Sequence, residues 1–111
     1  MKTIDEFGKD PTVQRTRTLF SLMERMDKAL QEGLKLSAFD ARLGTIRSIR
    51  QQLYERCFTR ALRKGIYMDE EKALELFSHC QKTAAARCGF AYPYEVSDDP
   101  EILILMKEEI S

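Results

Sequence analysis

His79 and Cys80 stand side by side, and a thiol beside an imidazole is the pairing that makes a nucleophile. The stretch has helical spacing, however, and adjacent helical residues point about 100° apart, out of hydrogen-bond reach. The spacing therefore predicts Cys80 in the core and His79 on the surface. Cys80 and Cys88 lie eight residues apart without a C-x-x-C partner, and one histidine does not complete a usual zinc set. Glu70-Glu71 and Asp98-Asp99 are paired carboxylates, but both pairs fall where helix starts favour acids. The five glycines are isolated near helix boundaries, so no phosphate-cradling loop is read. These patterns lead to an expectation of no catalytic residue, no metal ligand and no cofactor.

Charge is the remaining chemistry. Eighteen basic and eighteen acidic side chains cancel over the 111 residues, so no global field draws nucleic acid or membrane. Locally they do not cancel. Between Asp40 and Lys64, Arg42, Arg47, Arg50, Arg56, Arg60, Arg63 and Lys64 outnumber Asp40 and Glu55. From Glu95 onward the acids outnumber Lys107 in turn. The simplest expectation is an acidic tail lying on a basic helix. The alternative is nucleic-acid binding through Arg42, Arg47, Arg56, Arg60 and Arg63, since guanidinium groups grip phosphates bidentately.

Positioning those arginines falls to Ser37–Gly65, which reads as one long amphipathic helix with Ser37 as cap, Asp40 as capping-box acid and Gly65 as closing residue. Its apolar arc holds Phe39, Leu43, Ile46, Ile49, Leu53, Tyr54, Cys57, Phe58, Ala61 and Leu62. Arg50 falls inside that arc and must snorkel or meet a carboxylate. Gly44 is its weak point, expected to bend it or admit a close crossing. Upstream, residues 1–10 form a polar lead-in. Asp10-Pro11 then starts a helix with a stripe of Val13, Leu19, Phe20, Met23, Met26 and Leu30, ending at Gly33. Downstream, Asp69 caps a third helix with Ala73, Leu74, Phe77, Cys80, Ala84 and Cys88 inward and Gly89 at its end. Asp99-Pro100 repeats the start signal for Glu101–Ile110, read as a short helix with an edge strand as the alternative.

Phe90-Ala91-Tyr92-Pro93-Tyr94 either plugs the end of the bundle or presents aromatic anchors to a partner. No window approaches the roughly 20 apolar residues of a membrane span, and MKTIDEFGKD has no apolar run for a signal peptide. Three cysteines, an odd number, suit a reducing, cytoplasmic setting.

Arg50-Gln51-Gln52-Leu53-Tyr54-Glu55-Arg56-Cys57-Phe58, with Leu62 and Arg63 beyond, resembles the R-x-x-L-Y-x-x-C-F-x-x-x-[IL]-R segment of axonemal inner-arm dynein light intermediate chains. Phe39-Asp40-Ala41-Arg42-Leu43 is similar to their upstream acid–Ala–Arg–Leu stretch, at shorter spacing. Thr59-Arg60 stands where that family usually has two acids, and Gly65 interrupts what is there a long coiled coil. The resemblance covers about a fifth of the chain. It implies a non-catalytic, largely helical subunit that associates with dynein heavy chains in cilia and flagella.

The expectation is thus an all-α bundle over residues 11–111, with a long central helix, antiparallel neighbours and a short acidic C-terminal helix. Its expected role is that of an interaction subunit or adaptor with a protein partner, no membrane and no cofactor. Arg50, Tyr54, Phe58, Phe90, Tyr92 and Tyr94 are the expected contacts.

Overall fold

Asp–Pro signals, acidic caps and glycines divide the described residues into four helices. The computed structural model describes residues 11–92 and 98–110, with side chains from residue 20 onward except Leu22 and Ile110. Helix α1 spans Pro11–Gly33, α2 Ala41–Arg63, α3 Glu70–Arg87 and α4 Pro100–Ile110. The described residues contain no strand, and they form a small all-α bundle. Ile102–Met106 belongs to a helix. The lead-in 1–10 and Tyr94 lie outside the described residues.

Helix ends follow local chemistry. Asp69 accepts a hydrogen bond from Lys72 N at 2.7 Å, and Asp99 from Glu101 N at 2.9 Å, each satisfying a donor of the first turn. The cap of α2 differs from the expected one. Asp40 accepts from Arg42 N at 2.9 Å, while the Ser37 hydroxyl accepts from Phe39 N in a turn before the helix. A carboxylate one residue from the first helical turn holds that donor, and the serine is left to shape the connection.

At their far ends α1, α2 and α3 close alike. Leu36 N, Ile66 N and Phe90 N donate five residues back, to Gln31 O, Ala61 O and Ala85 O, around a left-handed residue. That residue is Gly65 in α2 and Gly89 in α3, but Lys35 in α1 at φ 53°. Gly33 is therefore the last helical residue of α1, not its left-handed cap.

Helix α3 packs against all three others and carries an unbroken buried run from Leu76 to Gln81. His79, expected at the surface, is buried within that run. The core has two parts. One gathers Met26, Leu53, Tyr54, Cys57, Ala61, Leu76, Phe77, Cys80, Ile102, Leu105 and Met106. The other gathers Leu30, Leu43, Ile46, Ala84, Ala85 and Tyr92.

Three expected core positions turn outward. Phe20, Phe39 and Leu62 are exposed, Phe39 because it precedes the first turn of α2 and lies in the connecting turn. Gly44 admits no close crossing: among the described residues nothing lies within 4 Å of a Cβ placed there.

Candidate functional site

A buried polar network links the two parts of the core. Arg50 follows Ile46 by one turn and precedes Leu53, so α2 delivers its guanidinium to the seam between them. It is 3% exposed. Its Nη2 donates to Asp27 Oδ1 of α1 at 2.5 Å, and its Nη1 donates to Gln81 Oε1 of α3 at 2.6 Å. Gln81 Nε2 donates in turn to the Tyr92 hydroxyl at 2.8 Å and to Met26 O at 3.4 Å. Arg47 Nε approaches the same Asp27 oxygen at 3.4 Å. Burial pushes the Arg50 guanidinium below its usual range and Asp27 opposes the shift; it stays charged, as arginine does in proteins. One planar cation thus ties α1, α2, α3 and the segment after α3. The carboxylate that its place in the apolar arc demanded is Asp27.

Tyr54 packs edge-on against Phe77 with centroids 5.4 Å apart and stacks on Phe58 at 5.8 Å. Burial pushes its phenol up. Arg50, Tyr54 and Tyr92 are buried, Phe58 and Phe90 half-buried, so these expected contact residues are largely used within the bundle. Phe90 carries the Arg42 guanidinium 5.2 Å above its ring.

The basic face of α2 is met by the chain's own acids. Arg42 forks onto Asp40 through Nε and Nη2 at 2.9 and 2.6 Å, and holds its carboxyl down to about 2. Arg56 reaches Glu109 at 3.1 Å, and Arg60 reaches Glu108 and Glu109 at 3.2 Å each. Lys64 bonds to Glu108 and holds that carboxyl below its usual range. Lys72 of α3 anchors the other end of α4, to Glu101 at 2.5 Å and Asp99 at 3.5 Å. Arg63 is exposed and has no ion pair among the described residues. Arg56, Arg60 and Arg63 line a surface hollow of about 370 Å³ with Glu55, Thr59 and Glu109. The acidic tail and basic helix pair as their charges suggest.

This arrangement holds helices together. Among the described residues no three His, Cys, Asp or Glu side chains gather as metal ligands, and no helix is long and apolar enough to cross a membrane. Two groupings escaped sequence reasoning. Gln81 was assigned no inward role, although it follows Cys80 directly and sits one turn after Phe77. The sulfurs of Cys57, Cys80 and Met106, from three helices, meet in the core. No family model, curated protein or solved structure matches the chain.

Proposed function

We propose that this chain is a non-catalytic helical interaction subunit of a larger intracellular assembly, with a cytoskeletal motor complex as the favoured setting. The observation carrying this reading is apolar surface left uncovered outside the two parts of the core. Phe39 is 96% exposed, Tyr67 75%, Phe20 64% and Leu62 62%, with Leu103 and Ile104 also outward. A single exposed apolar side chain is ordinary in a monomer. Several large ones on a small domain suit anchors for a partner, with aromatic groups the usual hot spots.

The motor setting draws support from the resemblance in Arg50–Arg63. Its matching Arg50, Leu53, Tyr54 and Cys57 face the bundle's own core, so those positions serve the helix before any partner. Nucleic-acid binding through the arginine face is the weaker reading. Arg42, Arg47, Arg56 and Arg60 are each engaged by an acid of this chain.

The test is affinity capture from native extract with the wild-type chain and a Phe39→Ser, Tyr67→Ser double variant that melts like wild type. The reading expects a partner retained by wild type and lost by the variant; a dynein heavy chain among such partners supports the motor setting. Identical capture by both chains would overturn the docking role of these two side chains. Salt-sensitive retention of RNA or DNA would favour the second reading.

A further inference from the structure

Cys57 on α2, Cys80 on α3 and Met106 on α4 converge although no two lie close together in sequence. Cys57 Sγ is 3.8 Å from Met106 Sδ, and Cys80 Sγ is 3.9 Å from the same atom. Cys57 and Cys80 are fully buried and Met106 nearly so, so their donors share one enclosed point in the core.

Met106 Sδ thus lies at the spacing of a coordination triangle from each of the two thiols. A metal about 2.3 Å from each of three coplanar sulfurs sets them about 4 Å apart. Two thiols and a thioether form a soft donor set, which selects Cu(I) over zinc, calcium or magnesium. Structural zinc takes four ligands, and a thioether is foreign to its usual set.

We propose that Cys57, Cys80 and Met106 form a three-coordinate site for a soft monovalent cation, Cu(I). Binding forms two copper–thiolate bonds and one copper–thioether bond. Both thiols release their protons to solvent, and copper keeps its oxidation state. The neighbouring Cys57 thiol, and then burial, push the Cys80 thiol up, so the metal has to displace that proton. The bound unit carries one negative charge. Arg50 favours that charge at Cys80 and Arg60 at Cys57; Glu109 opposes it at both, and Glu108 at Cys57. Entry runs through local opening of α4, which brings Met106 and is the shortest of the described helices at 11 residues. The site stands apart from the docking reading and needs no partner.

The test uses the full chain in a Cys88→Ser background, which removes the third, half-buried thiol. Cu(I) is supplied anaerobically as its bicinchoninate complex. One copper per chain is expected by native mass spectrometry, with a rise in melting temperature. Met106→Leu keeps the volume and apolar character, and should weaken competition against the chelator on the order of tenfold or more. Cys80→Ser should abolish the one-to-one species. Three results would each overturn the site: no copper uptake by the background chain, unchanged affinity in Met106→Leu, or a melting temperature lowered by copper. The last would mean that the metal binds thiols of the unfolded chain.

Discussion

The Arg50 guanidinium lies over the face of Phe77, 4.5 Å from the ring centroid, while its nitrogens reach Asp27 and Gln81. A planar cation can stack and fork at once, which an ammonium cannot. Removing one member of a buried charged pair costs about 3–5 kcal/mol when the other charge stays buried. Asp27 keeps 31% of its side chain exposed and can rehydrate. Arg50→Met should therefore cost about 2–3 kcal/mol, mostly from the orphaned Gln81 oxygen and the lost ion pair. Arg50→Lys should lose nearly as much. Urea unfolding at neutral pH measures both, and a wild-type midpoint for the lysine variant would show that planarity is irrelevant there.

Two backbone positions offer gains. Lys35 holds the left-handed conformation that glycine takes in the matching caps of α2 and α3. Lys35→Gly should stabilise the chain by about 0.5–1 kcal/mol, the relief of strain partly offset by unfolded-chain entropy. Gly44 sits inside α2 with open space around it among the described residues. Gly44→Ala should add about 1 kcal/mol. Thermal or urea midpoints should rise for both, and their sum should hold in the double variant because the sites share no partner.

Neighbours on α4 should respond very differently to truncation. Leu105 is fully buried against α2 and α3, whereas Ile104 faces outward. Leu105→Ala should cost about 2–5 kcal/mol, and Ile104→Ala about 0.5 kcal/mol or less. Equal losses would contradict the helical seating of this segment.

Acid should weaken the fold through its depressed carboxylates. Asp40 titrates at about 2 when folded against 3.8 unperturbed, chiefly through the hydrogen bonds of Arg42. Glu108 is lowered by Lys64. At Asp99 burial opposes the shift, but the N–H groups of Glu101 and Ile102 and the Lys72 ammonium outweigh it. Lowered folded values mean stability that is complete above the unperturbed range and lost as pH falls toward the folded values. The urea midpoint should thus be flat near neutrality and decline as pH drops from about 4 to about 2. High salt should shrink the decline, because these pairs lie at the surface. An Asp40 carboxyl titrating at its ordinary value by NMR would mean that the Arg42 fork does not persist in solution.

Caps, glycines and apolar spacing revealed the helices because each is a local signal, carried within a few residues. Arg50's need for a carboxylate was also legible, since a charge within an apolar arc demands one; that Asp27 answers it was not. Periodicity marks an inward face but names no neighbour, so the meeting of Cys57, Cys80 and Met106 lay beyond it. His79 shows the same limit from another side. A single stripe per helix presumes one packed face, while α3 is buried all the way round from Leu76 to Gln81. Phe39 fails for the opposite reason, because an apolar residue just before a helix start has no face assigned to it.

Helices α2 and α3 follow one another in the chain, but the first half of their core is roofed by Ile102, Leu105 and Met106 of α4. During synthesis that hairpin leaves the ribosome with Cys57, Leu76 and Cys80 bare on one side, until the segment after residue 100 emerges behind it. A chain truncated before Ile102 should therefore hold its helices loosely and attract chaperones that recognise bare apolar surface.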